Sequence, residues 1–105
     1  MNRRPLLRGI APELLLRAAE TIKLLGHPER LKIVEALEEE PRSVSELCRI
    51  CGLDQPICSQ HLCRLRRHGV VVAKRRGQHV VYRVVDAKVS HILSCIRTCD
   101  ARRSA

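Results

Sequence analysis

Aromatic residues are almost absent from this sequence. Tyr82 is the single aromatic residue among 105, because phenylalanine and tryptophan do not occur. Proteins that bind single-stranded nucleic acid commonly stack the bases on several aromatic rings. The composition therefore nearly excludes that class of nucleic-acid-binding fold.

Long hydrophobic runs are also missing. Uninterrupted apolar stretches, such as residues 70–73, extend over only a few positions, whereas a transmembrane helix needs roughly 20. Near the N-terminus, Arg8, Glu13 and Arg17 interrupt the apolar run that a signal peptide requires. We therefore expect a cytoplasmic protein that is neither secreted nor membrane-spanning.

Acidic residues are few compared with basic ones. The chain has 20 lysines and arginines against 11 acidic residues, which gives a net charge of +9. Such a surplus favours a polyanionic partner, either nucleic acid or an anionic membrane surface. The length suits one domain over residues 1–105, which we expect to carry basic N- and C-terminal extensions.

Two amphipathic helices are predicted at the start of the chain. In residues 12–25, apolar side chains recur at helical spacing after Pro12, and Gly26 ends the pattern. A second helix is expected to begin at Pro28 and to end at the acidic run 38–40. Both helices carry enough apolar residues on one side to pack against a core.

A helix-turn-helix is predicted next. Ser43 and Glu46 have the spacing of a capping box, which indicates a short helix that stops at Gly52. Asp54 is expected to cap a further helix over residues 55–68. Two helices joined by so short a turn are typical of a helix-turn-helix.

The pattern then changes from helical to extended. Residues 70–85 contain two runs rich in β-branched residues around Gly77, which predicts a β-hairpin. Asp86 is expected to cap a last helix over residues 87–99. The predicted fold class is mainly α with a β-hairpin wing, a winged helix-turn-helix of about five helices.

Three segments together resemble the ArsR/SmtB family of regulators. They read GHPxRLxI at 26–33, QPxxSQHLxxLR at 55–66 and GxxVxY at 77–82. The resemblance covers roughly residues 14–98. It implies a dimeric winged helix-turn-helix repressor that releases operator DNA when a metal, a metalloid or another thiol-reactive inducer binds.

The fourth helix and the hairpin carry the candidate DNA contacts. Polar side chains on a recognition helix can hydrogen-bond base edges, whereas cations at a wing add affinity through phosphates. On the helix, the candidates are Gln55, Ser59, Gln60, His61, Arg64 and Arg67. On the wing, they are Lys74, Arg75, Arg76, Gln78 and His79. For His61, packing beside the turn is an equal alternative.

Dimerisation is expected because one short recognition helix reads few base pairs. Two copies on palindromic double-stranded DNA would place half-sites about one helical turn, roughly 34 Å, apart. No cofactor is required for DNA binding, and no membrane partner is expected. The candidate interface lies on the first and last helices and consists of Leu14, Leu15, Leu16, Ile92, Leu93 and Ile96. The alternative is that these residues complete the core of the monomer.

Four of the six cysteines are the candidates for sensing. Two pairs have helical spacing, Cys48 with Cys51 and Cys95 with Cys99. A thiolate site for a soft ion needs a third or fourth ligand, so the predicted site joins Cys48 or Cys51 to the pair on the last helix, within or across subunits. Cys58 is expected to be a structural core residue, and Cys63 to lie near the DNA-facing side.

The cysteine pattern departs from the sensors of the family. Ser43 and Ser45 occupy the positions of the Cys-Val-Cys pair found in arsenic and cadmium sensors, and His91 lacks the partners of the zinc site. Two chemistries remain open: capture of arsenite, cadmium or zinc, and a disulfide-type switch driven by persulfide or polysulfide. Four thiols are more than a redox pair needs, which favours capture of a metal or metalloid. Reduced bystander cysteines are the remaining alternative.

Two other classes of function are weaker. Cys48-x-x-Cys51 could belong to a thiol oxidoreductase, but it lies inside a helix rather than at its N-terminus, where a thiolate is stabilised. A cysteine-rich zinc module that binds RNA would need compact ligand spacing and aromatic residues. The sequence therefore does not predict an enzyme.

Overall fold

The computed structural model describes residues 9–104 of the backbone and the side chains of residues 9–99. The basic N-terminal extension and Arg102-Arg103 therefore lie outside the described side chains. Within this part, five helices and three strands follow one another along the chain. They are α1 (Pro12–Leu25), α2 (Pro28–Glu39), β1 (Arg42–Ser43), α3 (Val44–Cys51), α4 (Gln55–Arg67), β2 (Val71–Arg76), β3 (His79–Val84) and α5 (Ala87–Ser104).

The capping box of α3 is confirmed. The Ser43 hydroxyl accepts a hydrogen bond from the backbone N–H of Glu46 at 3.2 Å, and the Glu46 carboxylate accepts one from the backbone N–H of Ser43 at 2.8 Å. This contact lowers the pKa of Glu46. Gly52 then adopts the left-handed conformation with φ of 67°, and the N–H of Leu53 bonds back to the Cys48 carbonyl.

Two other predicted caps have different outcomes. Asp86 caps α5, because its carboxylate accepts a hydrogen bond from the backbone N–H of Lys88 at 2.9 Å. Asp54 precedes α4 as expected, but its carboxylate makes no hydrogen bond to that helix. The prediction that its side chain caps α4 is therefore wrong, and Pro56 in the first turn is compatible with the start instead.

The hairpin is confirmed, and it belongs to a small antiparallel sheet. Strands β2 and β3 pair from Val71 with Val84 to Arg76 with His79, and Gly77 turns the chain at φ of 63°. The sequence did not predict β1, whose two residues pair with Tyr82 and Val81 of β3. The sheet order is β1-β3-β2, so the wing is anchored to the segment between α2 and α3.

The core lies between the end of α1, α2, α3, α4, the base of the hairpin and the first half of α5. Its fully buried side chains include Ile33, Leu47, Leu62, Leu65 and Val89. None of the helices in the described residues combines the length and the apolar character that crossing a bilayer demands.

Candidate nucleic-acid interface

One face of α4 is exposed and polar. The opposite face buries Cys58, Leu62 and Leu65 in the core, and this anchors the helix along its length. The exposed side chains include five of the six predicted DNA contacts on this helix: Gln55, Ser59, Gln60, Arg64 and Arg67. The face is long enough to present amide, hydroxyl and guanidinium groups to the edges of paired bases.

The tip of the β2–β3 hairpin presents the predicted wing residues to solvent. Its exposed members are Lys74, Arg75, Arg76, Gln78 and His79. At the base of the hairpin, Val71 is buried and Val84 is half-buried against the core. The base of the wing is therefore packed against the core, and its basic tip is exposed to solvent.

A groove runs between α4 and β3. It is lined by Ser59, Leu62, Cys63, Arg66, Arg67 and Tyr82. Arg66 is exposed in this groove, and the sequence prediction omitted it. The signal was present, because the helix ends on the basic run Arg64-Leu65-Arg66-Arg67.

The cations of this surface have no acidic partners among the described side chains. In residues 9–99, the ion pairs made by lysine and arginine involve Arg42, Lys88 and Arg97 and lie away from α4 and the hairpin tip. In residues 9–99, no carboxylate is therefore close enough to offset the charge of the arginines of α4 and the wing. Such an uncompensated basic surface attracts phosphate groups.

His61 does not belong to the exposed face. It is 8% exposed, and its ring contacts residues of α2 rather than solvent. The Nε–H of Arg30 donates to its Nδ1 at 3.2 Å, and its Nε2 lies 3.0 Å from the Glu29 carboxylate. The burial of this ring argues against the predicted DNA contact and favours the alternative that His61 packs inside the protein, although against the start of α2 rather than beside the turn.

His27, Glu29 and His61 are the only group of three metal-ligating side chains that the described residues bring close together, with their ligand atoms within 4.8 Å of one another. In each imidazole, however, Nδ1 accepts a hydrogen bond, so in the neutral ring Nε2 carries the proton and offers no lone pair to a metal. Nδ1 of His27 accepts a hydrogen bond from the backbone N–H of Glu29, and Nδ1 of His61 accepts one from Arg30. A cation at this point would also lie beside the Arg30 guanidinium, so the group does not fit a metal ion.

The six cysteines differ in exposure. Cys51 and Cys58 are buried, Cys48 is half-buried, and Cys63, Cys95 and Cys99 are exposed. Burial raises the pKa of Cys58 to about 12, with the neighbouring Cys48 adding to the effect. Burial also raises the pKa of Cys51. Both groups are therefore poorly reactive thiols, and for Cys58 this matches the predicted structural role.

The described residues do not gather three of the cysteines into one ligand group within a protomer. Cys95 and Cys99 lie one turn apart on α5 and are open to solvent. The joint site of these two with Cys48 or Cys51 stays a prediction, and in this conformation it would need thiols from a second copy.

The candidate dimer residues divide into two sets. Leu14, Leu15, Leu16 and Ile96 are exposed, and Leu16 is the most exposed at 68%. Leu93 is buried at 6% in the core of the protomer, and Ile92 packs partly against that core. Leu93 therefore completes the core instead of standing free for a partner, which corrects its assignment to the interface.

Comparison with known proteins places this geometry in a family. The family profile described as "Bacterial regulatory protein, arsR family" matches residues 27–72. The biofilm growth-associated repressor of Xylella fastidiosa (strain Temecula1 / ATCC 700964) is 38% identical over 89 residues, which are 83% of this chain and 78% of that protein. This chain belongs to the ArsR family.

Two further proteins resemble this ArsR-family chain, one in sequence and one in fold. The HTH-type transcriptional repressor SmtB of Mycobacterium tuberculosis (strain ATCC 25618 / H37Rv) is 41% identical over 81 residues, 77% of this chain. The chain spans only 60% of that repressor's length. The homodimeric winged helix-turn-helix DNA-binding domain of Mb0332 from Mycobacterium bovis has a TM-score of 0.76 at 24% identity, covering 92% of this chain and 93% of that domain. The ArsR-family fold predicted from the sequence, a winged helix-turn-helix, is confirmed.

Proposed function

We propose that this protein is a dimeric, sequence-specific DNA-binding repressor that acts in the cytoplasm. The observation that carries the proposal is the uncompensated basic and polar surface formed by α4 and the hairpin tip. Gln55, Ser59 and Gln60 supply hydrogen-bonding groups for base edges. The cations of the wing and of the last turn of α4 supply phosphate contacts.

Two copies of the chain would act together. The exposed leucines of α1 and Ile96 of α5 form the apolar surface proposed for the dimer contact. A two-fold symmetric dimer presents two α4 helices, so the expected operator is palindromic with half-sites about one helical turn apart. The repressor names of the SmtB and biofilm growth-associated relatives support this function.

A selection experiment tests the proposal. Reduced, metal-free protein is incubated with a pool of random duplexes, and the bound fraction is amplified and sequenced. We expect a palindrome, bound about 10³-fold or more tightly than random duplex at physiological salt. Single-stranded DNA and RNA of the same sequence serve as controls. Failure to enrich any duplex, or equal affinity for the single strands, would refute the proposal.

We further propose that a thiol-reactive inducer releases the protein from DNA through Cys95 and Cys99. These two thiols are exposed and lie one helical turn apart, on a helix that also carries the apolar residue Ile96. A change at this pair therefore acts next to the proposed dimer contact. An inducer lowers DNA affinity by the free-energy difference of its binding to the two arrangements. A thiophilic metal or metalloid such as arsenite is favoured over a sulfur species, because Cys48 or Cys51 of a second copy would add the third thiol that such an ion needs.

The inducer proposal is tested with arsenite, cadmium, zinc and polysulfide as probes. Each is titrated into the protein–duplex complex, and the mass of the product separates a bound metalloid from a disulfide, which forms with loss of two hydrogens. We expect Cys95→Ser with Cys99→Ser to bind DNA normally and to resist release. Cys63→Ser, which removes an exposed thiol outside the pair, should remain inducible. Release of the double variant by every probe would refute the assignment.

A further inference from the structure

Arg30 connects three helices through one guanidinium group. It lies in the first turn of α2, and its Nη1 donates a hydrogen bond to the Leu24 carbonyl at the end of α1, at 2.8 Å. Its Nε donates to Nδ1 of His61 on α4, at 3.2 Å. The carbonyl is one of those that the last turn of α1 leaves without a helical partner. Arg30 therefore joins the end of α1 to the middle of the recognition helix.

The contacts of His61 determine which ring nitrogen carries its proton. An arginine side chain only donates, so Nδ1 of His61 must be the acceptor and carry no hydrogen. In the neutral ring, Nε2 therefore carries the proton and donates to Glu29 at 3.0 Å. Both ring nitrogens are satisfied from α2, while the ring is 8% exposed. Together with the buried apolar face of the helix, these contacts restrain the rotation of α4 about its own axis and its distance from α2.

We propose that Arg30, His61 and Glu29 form a positioning unit that orients α4 for operator recognition. The proposal rests on the DNA-binding function proposed above and adds residues that do not touch DNA. His61 directly follows Gln60 and lies two positions after Ser59, so a rotation of α4 moves those two side chains together with the ring. Because Arg30 also holds the end of α1, the same unit links the recognition helix to the helix proposed for dimerisation.

The two kinds of DNA contact should respond differently to loss of this unit. Bidentate or paired hydrogen bonds to base edges require a fixed helix, because their donors and acceptors must meet specific atoms. Phosphate contacts from long arginine and lysine side chains tolerate small displacements and carry no sequence information. Loosening α4 should therefore reduce the preference for operator over random duplex while leaving general affinity for DNA intact.

The test compares His61→Leu with His61→Gln on the selected operator and on random duplex. Leucine removes both hydrogen bonds, whereas glutamine offers an acceptor oxygen and a donor nitrogen on one planar group. We expect His61→Leu to lower operator affinity about tenfold or more, with random-duplex affinity and salt slope changed by less than about twofold. His61→Gln should recover most of the discrimination. Arg30→Lys, which keeps the charge but loses the planar fork, should resemble His61→Leu.

The outcomes separate this inference from the DNA-binding proposal. If the unmodified chain shows no operator preference, the DNA-binding proposal fails. If the unmodified chain discriminates and folded His61→Leu discriminates equally well, the positioning role is refuted. Equal losses on both duplexes would also refute it, because they indicate a general structural defect. As a measurement that needs no variant, nitrogen NMR of the free protein should show the His61 proton on Nε2, and a proton on Nδ1 would overturn the inference.

Discussion

Adjacent residues of α4 have opposite environments. Gln60 is exposed on the polar face, whereas His61 is buried and bonded to α2. Successive side chains on a helix point about 100° apart, so one residue can face DNA while the next holds the helix in place. Arg75 and Arg76 differ again, because they lie at the exposed tip of a hairpin, where a phosphate contact would need only positive charge.

Exchanging Gln60 or the wing arginines should separate sequence reading from general affinity. Gln60→Ala should cost about 1–3 kcal/mol on the operator and little on random duplex. Arg75→Gln with Arg76→Gln should weaken binding to both duplexes and reduce the salt slope by about 4, because a dimer loses four phosphate contacts. Fluorescence anisotropy over a range of salt concentrations measures both effects.

Lys88→Gln is the control for that comparison, because it removes a cation far from the hairpin tip that is already paired with Asp86. It should leave binding nearly unchanged. If Gln60→Ala and the double arginine variant lose equal affinity on both duplexes, the assigned division of roles is wrong.

The inner and outer faces of α4 were only partly predictable from sequence. Apolar spacing placed Cys58, Leu62 and Leu65 in the core correctly. The role of His61 is ambiguous from sequence, because an imidazole can either hydrogen-bond a DNA base or occupy a buried polar site. Only the positions of Arg30 and Glu29 decide between these two roles. Leu93 was misassigned for a similar reason. Apolar character alone does not tell a core contact from a dimer contact.

The helices and the hairpin were predictable from local sequence signals. The capping box, Gly52 and the β-branched runs act over a few residues, so each could be interpreted without knowledge of distant contacts. Strand β1 could not, because a two-residue strand has no pattern of its own and exists only by pairing with Tyr82 and Val81. The side-chain cap predicted for α4 is wrong because the Asp54 carboxylate accepts no hydrogen bond from the first turn of the helix.

The capping box of α3 should make a measurable contribution to the stability of the protein. Ser43→Ala should lower the free energy of unfolding by about 1 kcal/mol in urea denaturation, because the N–H of Glu46 loses its acceptor. Ser45→Ala, an exposed serine in the same helix, should be neutral or slightly stabilising. Equal effects of the two substitutions would contradict the assigned cap.

The same cap predicts the sign of a pH effect. The pKa of Glu46 is lowered in the folded protein, chiefly by the backbone N–H of Ser43. The ionised carboxylate is therefore favoured by folding, so its contribution is present above the ordinary carboxyl pKa and is lost as the pH falls through the folded-state pKa. Glu46→Gln should show a weaker loss of stability in acid than the unmodified chain.

Formation of the proposed dimer depends on which apolar residues are exposed to solvent. Leu16→Glu should convert the proposed dimer to a monomer in sedimentation velocity while leaving helix content unchanged, because this side chain is exposed on α1. Leu93→Ala should instead lower the free energy of unfolding by about 2–5 kcal/mol, since it leaves a cavity in the core. A Leu16→Glu chain that is still dimeric would exclude α1 from the interface.

The most direct test of the account is a hydroxyl-radical footprint of the reduced protein on its selected duplex. Two copies that each place α4 in a major groove should protect two symmetric patches, with centres about 10 base pairs apart on one face of the DNA. The hairpin tips should add protection of flanking backbone that disappears with Arg75→Gln and Arg76→Gln. A single asymmetric patch, or uniform protection along the whole duplex, would contradict a symmetric dimer that reads DNA through α4.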